Sequence, residues 1–132
     1  MNEISYGFTR KVTGSFKQVK ERVIEALAVE GFGVLTEIDV QATLKKKLDA
    51  DFRPYVILGA CNPPLAHQAF LAERHIGLLL PCNVVVQQAE DGQVEVSMLS
   101  PKALFSLVER PDVAPLAEQV EQKLHRVLDS IH

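Results

Sequence analysis

The 132-residue chain lacks several features that would place it in a large class of proteins. It contains no apolar run approaching the ~18 residues needed to span a bilayer, and its first residues, MNEISYGFTRK, lack the apolar stretch of a secretory signal. It also lacks a basic excess, because 14 Lys and Arg face 17 Asp and Glu, for a net charge of −3. We therefore expect a cytoplasmic protein that binds neither membranes nor nucleic acids.

Catalytic motifs are absent as well. The chain has no glycine-rich phosphate loop, no G-x-S-x-G, no H-E-x-x-H and no dinucleotide-binding fingerprint. Asp39, Asp49 and Asp51 lie near a basic segment, but nothing pairs them as catalytic carboxylates, and a helix cap explains Asp39 more simply. The sequence therefore indicates no particular reaction and no cofactor, and it leaves open whether the protein is an enzyme.

What the chain does contain is enough apolar material for one folded core. Hydrophobic residues make up 47% of the sequence and charged residues 23%, as in globular rather than disordered proteins. No internal repeat, low-complexity stretch or linker interrupts the chain. We therefore predict a single domain covering residues 1–132.

Hydrophobic periodicity predicts an alternation of strands and helices. One strand is expected over Ile4–Val12, a central strand covered on both faces over Tyr55–Cys61, and a tight hairpin turn at Glu90–Gly92. A long amphipathic helix closes the chain over Val113–Ile131. This order predicts an α+β fold: a two-layer α/β sandwich with a mostly antiparallel sheet covered by helices.

A short helix is predicted within VQATLKKKLD, since Val40, Leu44 and Leu48 recur every four residues. Its three consecutive lysines, Lys45 to Lys47, are either the solvated face of the helix or a patch for phosphate or an acidic partner.

Two cysteines, each followed by asparagine, are the most distinctive feature. Asn62 and Pro63 predict a helix start directly after Cys61, with Asn62 as N-cap. The positive end of that helix and its free N–H groups are expected to lower the pKa of Cys61 and could hold a small anion. In a cytoplasmic protein, Cys61 and Cys82 are expected to be reduced thiols.

The position of Cys82 depends on topology. If its strand runs antiparallel beside the strand ending at Cys61, both thiols, Asn62 and Asn83 meet at one rim of the sheet. A parallel crossover would instead separate the thiols by about 20 Å, from six residues at ~3.3 Å each. We favour the antiparallel arrangement.

Three kinds of function remain open for these residues. The first is a thiol site: redox or electrophile chemistry at Cys61, or copper(I) or zinc held by Cys61 and Cys82 with His67 or His75 as a third ligand. The ligand spacing matches no known zinc pattern. Alternatively, both cysteines simply fill core space at strand ends.

The second is a small-molecule pocket between sheet and helices, with Asn62 and Asn83 as polar anchors. The third is a structural or interaction module that homodimerises through a sheet edge or the closing helix, whose apolar stripe otherwise belongs to the core.

Three segments, EGFGVLTEIDV, YVILGACNPPLA and IGLLLPCNVVV, resemble the bacterial domain-of-unknown-function family number 302. The resemblance implies a two-layer α/β fold like that of the TATA-box-binding protein, and it implies no DNA binding, because fold does not determine function. The family has no established activity. The residues that match its signature are Gly59, Cys61, Asn62, Pro63, Pro81, Cys82 and Asn83.

Overall fold

All neighbouring strands of the sheet run antiparallel, as a computed structural model covering all 132 residues shows. The six strands are β1 Asn2–Ile4, β2 Gly7–Val12, β3 Gly33–Asp39, β4 Tyr55–Cys61, β5 Cys82–Gln88 and β6 Val94–Leu99. Their order across the sheet is β1-β2-β6-β5-β4-β3. The predicted α+β class with an antiparallel sheet is confirmed.

Side-chain caps mark the start of four of the helices, and the 3₁₀ helix and the closing helix begin without one. The helices are α1 Phe16–Val29, α2 Val40–Leu48, α3 Pro63–Ala72, a 3₁₀ helix Ile76–Leu79, α4 Pro101–Phe105 and α5 Ala114–Asp129. Ser15 and Gln18 form a complete capping box on α1. The Asp39 carboxylate accepts a 2.9 Å hydrogen bond from the Ala42 N–H at the start of α2, so its role as a cap is confirmed.

The core lies between one face of the sheet and the helices. Alternate residues of β5 and β6, among them Val84, Val86 and Val96, are fully buried, while α1 and α5 supply Leu27 and Leu124 from above. None of the helices combines the length and apolar character needed to cross a bilayer.

The opposite face of the sheet is only partly covered, which corrects the expectation for Tyr55–Cys61. In β4, Val56 and Leu58 are buried, but Tyr55 and Ile57 on the other face are half-buried. The strand also lies second from the sheet edge rather than at its centre. A continuous apolar run therefore does not mean two covered faces here.

The first predicted strand is in fact a hairpin. Ile4 pairs with Gly7, so Ser5 and Tyr6 form a tight turn between β1 and β2. Phe8 is buried, whereas Ile4 and Tyr6 are exposed. In the sequence, apolar and polar residues keep alternating through the two-residue turn, so the periodicity alone did not reveal that the chain reverses there.

The closing helix does not present its apolar stripe to solvent. Val120, Leu124, Val127 and Ile131 are all buried, the most exposed of them at 8%. This stripe belongs to the core, so it is not an exposed surface for a dimer contact.

Candidate functional site

The two cysteines come together at one corner of the sheet. In the antiparallel pairing of β4 and β5, Ala60 lies opposite Cys82, which places Cys61 one residue from that pair. Both cysteines contribute to the wall of the same cavity. The antiparallel alternative is confirmed, and both thiols are free.

That cavity, which we name the thiol cavity, has a volume of about 240 Å³. Of its 16 lining residues 13 are hydrophobic, and none carries a charge. Buried residues such as Ala60, Ala69 and Phe105 form its base, and Leu35 and Phe70, 66% and 46% exposed, mark its mouth. The full lining is Phe32, Leu35, Ala60, Cys61, Asn62, Leu65, Ala66, Ala69, Phe70, Gly77, Leu80, Pro81, Cys82, Phe105, Leu116 and Val120.

One face of α3 supplies much of the wall. Leu65, Ala66, Ala69 and Phe70 recur at three- and four-residue spacing, so they share a face, while His67 on the other face is exposed and does not line the cavity. Small alanines at two of these positions leave open the space that larger side chains would fill.

Asn62 joins two helix ends. Its Oδ1 accepts the Leu65 N–H at 3.3 Å and so caps α3, while its Nδ2 donates to the Glu30 carbonyl at 3.3 Å, at the C-terminus of α1. Gly31 allows this approach, since a Cβ there would lie 3.0 Å from Nδ2. Both ends of the amide are thus engaged with backbone groups that would otherwise lack partners.

The first four residues of α3, Pro63 to Ala66, offer no free N–H to a thiolate or an anion, contrary to the expectation from the sequence. Pro63 and Pro64 have no N–H, and the next N–H, that of Leu65, is bound by Asn62. The following N–H, of Ala66, bonds to the Asn62 carbonyl at 2.8 Å. The proline pair that favours the helix start also removes the groups that would hold a negative charge.

Both thiols are accordingly hard to ionise. Burial raises the pKa of Cys61 above its ordinary value, so the expected lowering of this pKa is wrong. Burial, with a smaller contribution from the neighbouring Cys61, raises the pKa of Cys82 to about 12. Near neutral pH both cysteines are therefore protonated thiols rather than reactive thiolates.

Residues 8–131 match the family described as domain of unknown function DUF302. The chain belongs to this family. Among solved structures, it is similar to an uncharacterised conserved DUF302 protein from Bacillus stearothermophilus, with 33% sequence identity and a TM-score of 0.89 over 96% of this chain and 98% of that one. No curated protein matches.

The remaining site candidates of this DUF302 chain lie away from the cavity. Asn83 pairs with Gly59, so it points to the opposite face of the sheet from Cys82, is exposed and makes no side-chain hydrogen bond. His75 is exposed and contacts Glu73. No three His, Cys, Asp or Glu side chains are grouped to hold a metal ion, so neither histidine completes a zinc site with the two thiols.

Gly59, a signature residue, has a packing role. A Cβ at this position would lie 2.8 Å from Cγ of Pro81 and would also collide with Thr36. Pro81 itself follows a cis peptide bond after Leu80 and lines the cavity. Gly59 thus permits the close approach of the segment that carries Cys82.

Sequence reasoning missed the cavity walls contributed from elsewhere in the chain. Phe32 precedes β3, Phe105 ends α4, and Leu116 lies in α5. Each is an ordinary apolar residue, and no motif marks it. The only feature of the sequence that indicated a cavity was the pair of small residues, Ala66 and Ala69, on one face of α3.

Proposed function

We propose that the protein binds a small, uncharged, largely apolar ligand in the thiol cavity. The observation that carries this proposal is the lining: 13 of 16 residues are hydrophobic and none is charged. An ion entering such a site would lose its hydration without gaining a partner, which costs several kcal/mol or more. With the donors at the start of α3 occupied, an anion is the less favoured ligand.

The two thiols serve as soft, neutral parts of the wall. Their raised pKa values favour the protonated forms, which pack as small apolar groups with weak hydrogen-bonding capacity. A cavity of about 240 Å³ lies below the ~300–1,000 Å³ typical of sites for drug-sized ligands, so the buried part of the ligand is small.

A neutral and an anionic probe with the same number of carbons test the ligand class. We expect n-hexanol to raise the melting temperature in a saturable manner and hexanoate at equal concentration to leave it unchanged, because a ligand that binds only the folded state stabilises it. At a concentration one hundred times Kd, the stabilisation is about 2.7 kcal/mol. Equal stabilisation by the two probes would contradict an uncharged site.

Two matched variants locate the binding. Ala66→Leu extends a side chain from the cavity face of α3, whereas His67→Leu adds a leucine to the exposed face of the same helix. We expect Ala66→Leu to abolish the stabilisation by n-hexanol and His67→Leu to retain it. Loss of the effect in both variants, or in neither, would place binding elsewhere.

Thiol chemistry, the competing proposal for Cys61, predicts a different result. A redox or electrophile site requires native Cys61 to react with an aromatic disulfide reagent faster than free cysteine near neutral pH. The raised pKa values predict slower reaction instead, reaching the free-cysteine rate only after denaturation. Labelling faster than that of free cysteine would favour the thiol site over the binding module.

A cytoplasmic location is part of this proposal. Both cysteines are free, and reduced thiols are the normal state of cysteine in that compartment. Cell fractionation followed by immunodetection tests this, and recovery of the protein with a secreted or membrane fraction would contradict it.

A further inference from the structure

Strand β3 contains one residue more than its pairing with β4 requires. Val34 lies opposite Ala60. Thr36, two residues later, lies opposite Gly59, which is the direct neighbour of Ala60. Consecutive residues of a strand face opposite sides of the sheet, so Val34 and Thr36 also lie on opposite sides. Leu35, between them, has no partner and is the extra residue of a β-bulge.

The bulge lies at the mouth of the thiol cavity. Leu35 and Phe70 are the only exposed side chains among the residues that line this cavity. Strand β3 is the edge of the sheet and bonds only to β4, so no second strand holds the bulge in place. Bulges are frequent beside functional sites, where they direct a side chain out of the regular pattern. Here the side chain so directed forms part of the cavity wall.

Protection of the sheet edge does not account for a leucine in the bulge. Bulges and charged or polar side chains both prevent an exposed edge from pairing with another chain, and β3 already has Thr36, Glu37 and Asp39. Leu35 is 66% exposed, so much of its apolar side chain contacts water in the free protein. A ligand that covers this side chain would remove that contact, which is favourable.

We propose that Leu35 is a specificity-determining residue of the thiol cavity. The bulge places its side chain beside the outer end of the bound ligand, so the site prefers ligands with an apolar chain long enough to reach from the buried base to the mouth. A short ligand is enclosed by the base alone and gains nothing from Leu35. This inference rests on the ligand class proposed for the cavity and adds the chain length that the site selects.

A series of linear alcohols tests this role. Dissociation constants for n-pentanol and n-octanol can be measured from saturable NMR shifts of backbone amides around the cavity. In the wild type, affinity should rise about fourfold for each added methylene that the cavity covers. Leu35→Ala should weaken n-octanol binding by ~10-fold, because an apolar contact at the outer end is lost, and should change n-pentanol binding less than twofold, on the order of the error.

The control variant alters the same strand outside the cavity. Ile38 is 48% exposed and does not line the cavity, so Ile38→Ala should bind both alcohols like the wild type. Equal weakening of n-pentanol and n-octanol by Leu35→Ala would overturn the selection of chain length.

Deletion of Leu35 separates a contact with the ligand from a role in the fold. Without this residue, Val34 stays opposite Ala60 and Thr36 stays opposite Gly59, so the strands pair regularly with their register unchanged. The deletion variant should therefore keep the melting temperature of the wild type and still bind n-octanol ~10-fold more weakly. A lower melting temperature with undiminished n-octanol binding would assign the bulge to the fold and overturn the proposal.

Sedimentation of the deletion variant tests edge protection. If it associates through its regular edge while Leu35→Ala binds n-octanol like the wild type, the bulge serves to protect the edge and the proposal is wrong. Failure of this inference also differs from failure of the ligand site. A wild type that binds neither alcohol contradicts both, whereas equal n-octanol binding by the wild type and Leu35→Ala keeps the site and overturns only the role of Leu35.

Discussion

Replacing Asn62 by alanine should destabilise the fold by about 1.5–3 kcal/mol. The change removes the cap of α3, for which losses of about 0.5–2 kcal/mol are usual. It also removes the 3.3 Å hydrogen bond from Nδ2 to the Glu30 carbonyl, a part-buried contact that contributes about 1 kcal/mol. For a chain of this size, the total corresponds to a melting temperature lower by about 8 °C.

Two matched variants separate the parts of this effect. Asn62→Asp retains the oxygen that accepts from Leu65 but loses the donor to Glu30, so it should lose only part of the stability. Asn83→Ala alters the asparagine of the other Cys-Asn pair, which is exposed and has no hydrogen-bond partner, and should stay within about 0.5 kcal/mol of wild type.

Urea denaturation monitored by far-ultraviolet circular dichroism measures all three variants. If Asn62→Ala were as stable as Asn83→Ala, the joining of the two helix ends would not be the role of this residue. Wild-type stability combined with lost n-hexanol binding would instead identify Asn62 as a ligand anchor, the alternative to a helix cap that the sequence left open.

Two further predictions follow from the same corner of the sheet. Gly59→Ala should destabilise the fold by about 1–3 kcal/mol, because its Cβ would lie 2.8 Å from Cγ of Pro81. Gly33→Ala is the control in thermal denaturation, since a Cβ there would have no atom within 4 Å. Equal losses of stability in the two variants would contradict this account. The free energy of unfolding should also fall as pH rises between about 9, the ordinary pKa of a thiol, and about 12, the pKa of Cys82 in the folded protein. In this range the folded state retains a proton on Cys82 that the unfolded state has lost, so the loss is up to ~1.4 kcal/mol per pH unit. Urea titrations in this alkaline range should show a shallower decline for Cys82→Ala, and an identical decline would mean that the thiol ionises as readily in the folded protein.

Rules that depend only on nearby residues correctly predicted where helices α2 and α3 begin. The cap at Asp39 and the Asn62-Pro63 start each depend on residues within three or four positions of one another, so the sequence contains the whole cause. The predicted turn at Glu90–Gly92 lies between β5 and β6 for the same reason. The three segments that resemble the family also led to the correct family.

The expected lowering of the Cys61 pKa was wrong, although the sequence contained part of the information needed to reject it. Pro63 and Pro64 supply no N–H, and a capping asparagine occupies the next one. The helix starts where it was predicted, but its first residues have no free N–H to stabilise a thiolate. Burial of the thiol, which raises its pKa, was the part that required the folded chain.

By itself, the sequence determined where the capped helices α2 and α3 begin, because those starts depend on neighbours along the chain. Only the tertiary structure decided that Asn62 reaches the end of α1, 32 residues earlier, and that Asn83 faces away from Cys82. It also decided that Phe32, Phe105 and Leu116 enclose one cavity with the thiols. The physical reason is that burial and enclosure depend on strand register and on helix packing between residues far apart in the sequence. The neighbours of an apolar residue along the chain do not indicate which residues it will contact in the folded protein.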